Sequence, residues 1–243
     1  TKASDISSTC TIGERPIMWH IMKHYAHHGC RHFILTLGYL GEKIKQYFMN
    51  YELLCSDFSI VLGTPGEFEI HNSHPDKGWK VTLADTGPKT LKGGRIKRIE
   101  QYITGDRFML TYGDGVSDVD LDELFAFHRE HGRIGTVTGV HPPSRFGELF
   151  VEEGRVLDFS EKPQISTGMI NGGFFVFERA IFDYLTPEES CDFEFGPLQR
   201  LAAAGELMVY PHQGFWECMD TVRDCAHLNK LWAGGQARWK IWE

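Results

Sequence analysis

The stretch that most constrains this chain is residues 108–120, FMLTYGDGVSDVD. Three apolar residues, Phe108, Met109 and Leu110, run into Thr111, Tyr112 and Gly113, and then into Asp114 and Gly115. A short apolar run bounded by turn residues reads as a strand buried on both faces. Such strands belong to sheets covered by helices, and ligands there sit just beyond the strands' carboxyl ends. The pattern therefore puts Asp114 where a sheet of this kind holds a metal ion or a phosphate-bearing ligand. The plainer alternative is that Asp-Gly is only a turn.

The flanking sequence decides the fold class. Pro16 opens a helix, the favoured place for proline, and Ile17, Met18, Ile21, Met22 and Tyr25 give it an apolar stripe that Gly29 closes. Residues 32–38 read as a strand, 41–50 as a helix, 58–62 and 79–83 as strands, 121–131 as a helix and 134–140 as a strand. A hairpin-like section spans 145–159. Residues 169–177 form a strand with Asn171, Gly172 and Gly173 embedded, and glycine inside a strand marks a close approach of backbone or ligand. Helices are expected over 178–185 and 194–205, and a strand over 207–210. A last helix, capped by Asp220 or Thr221, runs to about Trp232. This alternation predicts an α/β fold with a Rossmann-like doubly wound mixed sheet. Residues 1–10 are polar and without period, an irregular lead-in.

Composition excludes several classes. The net charge of −8 argues against a nucleic-acid-binding surface. No run of about 18 apolar residues predicts a membrane span, and no charged-then-apolar leader is visible. Six dispersed cysteines without a CxxC pair predict free thiols and a cytoplasmic location. Of twelve histidines, His24, His27 and His28 cluster on one helix, but no second ligand group in the sequence supports zinc.

Two aspartates stand at junctions, Asp114 after one strand and Asp220 before the last helix. Mg²⁺ favours a few carboxylates together with substrate phosphates and water, and two sequence-distant aspartates meeting at one sheet rim suit it. Gly93 and Gly94 precede Arg95, so a helix start with free N–H groups and a fixed positive charge could receive a phosphate. A solvated basic face explains Arg95 equally well, and explains Lys97 better. Lys162 adds positive charge, while Glu161 and Asn171 suit polyol hydroxyls. Together these residues read as phosphoryl or nucleotidyl transfer involving a sugar phosphate, a chemistry of positioning and charge stabilisation. Taken singly, Asp220 is also a helix cap, Lys162 a surface lysine and Asn171 a backbone partner. No GxSxG, Walker, HExxH or GxGxxG motif competes.

From Ile12 onward the chain resembles the glucose-1-phosphate cytidylyltransferases, within the sugar-phosphate nucleotidyltransferase superfamily. The stretches that carry the resemblance are IGERPIMWHIMKHYAHHG, GYLGEKIKQYF, VTLADTG, GGRIKR, TYGDGVSDVD, RFGEL, FSEKP, MINGGFFVF, CDFEFGPLQRLAAAGEL, GFWECMDTVRD and the terminal pair Trp239 and Trp242. The resemblance implies a nucleotide-diphospho-sugar transferase type of fold with a small β/α sugar-binding and oligomerising portion. It implies one domain over 1–243, with an atypical start over 1–11, a nucleotide-binding half over 12–140 and a sugar-phosphate half over 141–243. The implied reaction joins CTP and α-D-glucose 1-phosphate to give CDP-glucose and pyrophosphate by in-line attack, for dideoxysugars of bacterial surface polysaccharides such as O-antigen. Asp114 and Asp220 would hold Mg²⁺, Tyr112 and Gly113 would lie beside the nucleotide, and Arg95 would contact phosphate. Gly147, Glu161 and Asn171 would meet the sugar, and Lys162 its phosphate. Homo-oligomers, trimers or hexamers, would be expected.

One segment departs from the family. Its members open with a strand, a GGxGTR loop around the triphosphate and a Lys-Pro pair. TKASDISSTC stands in that place here, with no glycine, no arginine and only Lys2. Each lost charge-assisted phosphate contact is worth roughly 1.5–3 kcal/mol. Two alternatives therefore stand beside the cytidylyltransferase reading: a catalytically impaired relative that binds sugar phosphate or oligomerises, and a transferase using another nucleotide, dTTP or UTP.

Overall fold

The structure, a computed structural model, describes residues 10–64, 66–72, 74, 76–141, 148–152, 155–160 and 168–243. Gly147, Glu161, Lys162 and residues 1–9 lie outside the described residues. A tight hairpin, β1 (Thr11–Ile12) and β2 (Arg15–Pro16), leads into α1 (Ile17–His27). Strand β3 (His32–Leu37), helices α2 (Gly41–Met49) and α3 (Tyr51–Cys55), the small hairpin β4 (Phe58–Ile60) and β5 (Phe68–Ile70), and β6 (Lys80–Asp85) follow. Then come α4 (Lys92–Arg98), β7 (Arg107–Thr111), β8 (Gly115–Ser117), α5 (Leu121–His131) and β9 (Gly135–Val140). The second half holds β10 (Glu148–Glu152), β11 (Arg155–Ser160), β12 (Ile170–Glu178), α6 (Gln199–Ala203), β13 (Leu207–His212), β14 (Trp216–Cys218) and α7 (Val222–Ala233).

Helix ends follow local chemistry. Asp120 caps α5 by accepting the N–H groups of Asp122 and Glu123 at 2.9 and 3.0 Å, and Gly132 closes it in the left-handed conformation. Thr221, not Asp220, caps α7, in a capping box with Asp224. The helix expected over 194–205 begins only at Gln199, because Phe195 and Gly196 are non-helical and Pro197 interrupts the run. Residues 179–184 wind as a 3₁₀ helix rather than an α-helix.

The main sheet runs β13-β9-β12-β7 and is mixed, with β13 parallel to β9 and the other two pairs antiparallel. Strands β3 and β6 form a separate parallel pair. The four residues 174–177 of β12 alternate between two cores. Phe174 and Val176 pack with Ile17, Ile21, Tyr25 and Trp239, whereas Phe175 and Phe177 pack with Ile96, Ile99 and Phe182. Helices thus cover both faces of the sheet, as the doubly wound reading expected.

Two expectations are corrected. Strand β7 is half-buried along 108–111, not buried throughout. Its inner edge pairs with β12, but among the described residues its outer edge has no strand partner, and it opens onto a cavity of about 1800 Å³ facing β3. The cysteines are not all free thiols. Cys10 and Cys225 form a disulfide with Cα atoms 6.5 Å apart, because α7 packs on β1; Cys30, Cys55, Cys191 and Cys218 are unbonded. No helix among the described residues is long and apolar enough to cross a membrane.

Candidate active site

The site is built where β7 ends. Tyr112, Gly113 and Asp114 link β7 to β8, and β8 pairs antiparallel with β14, Gly115 opposite Cys218. One step further the Met219 N–H donates to the Asp114 carbonyl at 2.7 Å. This short ladder brings the sequence-distant Asp220 back to Asp114. Burial, then the negative charge of Asp220, hold the Asp114 carboxyl above the usual carboxylate range, while Lys92 opposes them. The Cys218 thiol donates to Asp220 Oδ2 at 3.3 Å, and burial and that carboxylate push it up to about 12. A mutually repelling pair of oxygen donors, one of them largely withdrawn from water, fits a small hard divalent cation.

The other aspartates of the stretch, and Asp122 just after it, serve the scaffold. Asp118 accepts the Phe215 N–H at 2.6 Å and pairs with His212 and Arg238, which holds it below the usual carboxylate range. Asp120 is the cap of α5, and Asp122 pairs with His28 Nδ1 at 2.9 Å. Of Asp114, Asp118, Asp120 and Asp122, only Asp114 joins Asp220.

A hydrogen-bond network borders the pair. The Tyr112 hydroxyl donates to Glu194 Oε1 at 2.7 Å and accepts from Asn171 Nδ2 at 3.2 Å. Lys92 pairs with the same Glu194 oxygen and lies 4.4 Å over the Tyr112 ring. Asn171 Oδ1 accepts the Gly173 N–H at 2.9 Å. Gly173 sits at φ +77°, and a Cβ there would lie 2.7 Å from Tyr112 Cδ2, so the embedded glycine lets the Tyr112 ring approach. Trp216 Nε1 donates to the Gly172 carbonyl at 2.7 Å and ties β14 to the same bulge.

Lys92 and Glu194 were missed from the sequence. Glu194 lies in CDFEFGP, which reads as the start of a regular helix, whereas the Asp192 carboxylate turns it by accepting the Glu194 and Phe195 N–H groups at 2.9 and 3.0 Å. The aspartate two residues before Glu194 was the available signal.

The glycine pair beside Arg95 is corrected. The Gly94 N–H donates to the Cys191 carbonyl at 3.1 Å, and a Cβ at Gly93 would lie 2.9 Å from that same carbonyl oxygen. These glycines let α4 pack against the segment at 188–192, and they do not form a free anion cradle. Arg95 donates to the Leu37 carbonyl at 2.9 Å and to Thr86 Oγ1 at 2.8 Å, so it pins the end of β3 to the turn after β6 at the cavity rim. Burial, then Arg98, lower its pKa. Lys97 pairs with Glu100 and caps the Phe182 carbonyl, a structural role. Asp114, Asp220, Tyr112, Gly113 and Asn171 are therefore brought together, with Arg95 on the rim.

Residues 9–232 match the family model for nucleotidyl transferases. The chain is 46% identical over 233 residues to a glucose-1-phosphate cytidylyltransferase of Salmonella typhi, covering 96% of this chain and 90% of the relative. It is 46% identical over 231 residues to a probable glucose-1-phosphate cytidylyltransferase of Bacillus subtilis, covering 95% and 89%. In fold it is similar to a UDP-glucose pyrophosphorylase solved with UDP-glucose, with a TM-score of 0.64, 14% identity and 94% and 90% of the two chains covered. HddC from Yersinia pseudotuberculosis superimposes with a TM-score of 0.62 at 17% identity, covering 90% and 87%. By its family model and its 46% identity over nearly its whole length, this chain belongs to the nucleotidyl transferase family and, within it, to the glucose-1-phosphate cytidylyltransferases.

Proposed function

We propose that this chain transfers a cytidylyl group from CTP to α-D-glucose 1-phosphate, releasing pyrophosphate and forming CDP-glucose, a precursor of surface polysaccharide sugars. The observation that carries the reading is the Asp114 and Asp220 pair at the end of β7, next to the Tyr112, Asn171 and Glu194 network. In the proposal Asp114 and Asp220 hold Mg²⁺. When bound, the ion supplies positive charge to the nucleotide phosphates. Tyr112 and Gly113 border the nucleotide, and Asn171 reads a sugar hydroxyl. Lys92 lies on the network itself and offers a cation to phosphate if it leaves Glu194. Arg95 retains further guanidinium donors beyond its contacts to Leu37 and Thr86. Gly147, Glu161 and Lys162 complete the sugar-phosphate side, with the division between halves near residue 140.

We also propose a cytoplasmic, oligomeric enzyme. A reducing cytoplasm would hold Cys10 and Cys225 as thiols. Asn229 would still tie α7 to the β1 hairpin, through the Thr11 carbonyl at 2.7 Å and the Gly13 N–H at 2.8 Å.

A second reading is tested beside the first. In it the chain retains sugar phosphate on the Asn171 side but turns over poorly. The test incubates the protein with CTP, Mg²⁺ and glucose 1-phosphate and measures pyrophosphate, with dTTP and UTP in parallel. Turnover with CTP is expected. Glucose 1-phosphate binding without turnover would establish the second reading instead.

A further inference from the structure

The donors around Tyr112 converge on one carboxylate. Asn171 Nδ2 donates to the Tyr112 hydroxyl at 3.2 Å, and that hydroxyl donates in turn to Glu194 Oε1 at 2.7 Å. Lys92 pairs with the same oxygen. The backbone is bent to bring Glu194 here. Asp192 accepts the Glu194 and Phe195 N–H groups, Phe195 is non-helical, and Gly196 takes φ +149°. The Glu194 side chain is still 27% exposed, so a ligand can reach it. A carboxylate accepts hydrogen bonds and repels phosphate, so its place is beside the hydroxyl-bearing part of a sugar phosphate. Asn171 presents the complementary chemistry. Its amide oxygen already accepts the Gly173 N–H, so it offers a ligand its second Nδ2 proton. A sugar hydroxyl that accepts that proton still has its own proton to place, and leaving it unpaired in a closed site costs affinity. Glu194 lies within one hydrogen bond of the same phenolic oxygen as Asn171 and supplies the acceptor.

We propose that Glu194 determines sugar specificity by accepting a hydrogen bond from one hydroxyl of the hexose. This role rests on the glucose 1-phosphate reading above and adds to it an acceptor beside the Asn171 donor. Tyr112 and Lys92 hold the carboxylate in place, and the sugar hydroxyl donates to it. A hydrogen bond to a charged acceptor is about twice as strong as a neutral one. A site that holds an acceptor for a hydroxyl penalises a sugar that lacks it, because the carboxylate is then shut away from water and short of a donor. Glu194 takes no part in the chemistry at phosphorus. It acts on which sugar phosphate is held.

The test uses the full chain and measures, by calorimetry with Mg²⁺ present, the binding of glucose 1-phosphate and of its analogues lacking the 2-, 3-, 4- or 6-hydroxyl. In the unaltered chain, the analogue without the hydroxyl that Glu194 meets is expected to bind about tenfold to a hundredfold more weakly than glucose 1-phosphate. In Glu194→Gln, glucose 1-phosphate itself weakens by a similar factor. The gap to that one analogue closes, and the gaps to the other analogues stay. In Lys92→Met the same gap remains open. The melting temperature of each variant checks that it is folded. Loss of affinity by the same factor for glucose 1-phosphate and every analogue would overturn the proposal and make Glu194 an anchor for its neighbours. Unchanged binding in Glu194→Gln would overturn it too, as would closure of the gap in Lys92→Met. If the unaltered chain does not bind glucose 1-phosphate, the reading of the site fails and this role falls with it.

Discussion

Strands β12 and β7 pair along five residues, 174–178 against 107–111, yet they reach different depths. Phe174, Phe175, Val176 and Phe177 are almost completely buried, whereas 108–111 are half-buried. Both stretches are apolar and both lie between helical layers. The difference is the second neighbour: among the described residues β12 has β9 on its far side, and β7 faces the cavity. An apolar strand sequence specifies that a strand wants burial, but the depth it reaches depends on whether both edges are closed.

The comparison can be broken by core truncation. Phe175→Ala removes a fully buried ring and is expected to cost about 3–5 kcal/mol. Leu35→Ala, on the cavity wall, is expected to cost no more than about 1 kcal/mol. Denaturant midpoints for the two variants measure this. Equal costs would mean that the surroundings of Leu35 are as densely packed as the β12 core.

The next effect concerns the closed ladder of β8 and β14. Asp114→Asn removes one carboxylate of the pair and is expected to lower pyrophosphate release by about 10²–10³-fold. The melting temperature should stay level or rise, because repulsion with Asp220 is relieved. Unchanged turnover would remove Asp114 from the metal pair.

The smallest of the three is a pH effect in the α1 core. His20 and His24 are buried, donate to the Ile12 and Val119 carbonyls, and are pushed by burial down to about 4. Between an unfolded value of about 6.5 and that folded value, the unfolded chain binds more protons, so stability rises with pH. The contribution is complete above about 6.5 and is lost as pH falls toward 4, on the order of 3 kcal/mol for each histidine. His20→Gln should flatten its share of the slope of urea midpoint between pH 7 and pH 4.5. A slope unchanged by the substitution would mean that His20 titrates normally.

Much of the fold was legible because its signals are local. Asp120 and Gly132 bracket α5, so its limits follow from capping chemistry, and the alternation through Phe174–Phe177 marks a strand with a core on each side. The helix expected over 194–205 failed at a signal already present, Pro197 after Gly196. The Asp192 turn that places Glu194 on Tyr112 was legible only in part, since a turn fixes where a side chain starts and not what it meets.

By itself, then, the sequence determined that residues 108–120 carry an apolar strand into an aspartate at the rim of a doubly wound sheet, because strand, turn and cap preferences act over a few residues. Only the tertiary structure decided which carboxylate joins Asp114. The β8-β14 ladder selects Asp220 and turns Asp118 and Asp120 into scaffold. It also decided that Gly93 and Gly94 serve packing and that Cys10 meets Cys225. Strand register and contacts between distant segments follow from the packing of the whole chain, and no local pattern encodes them.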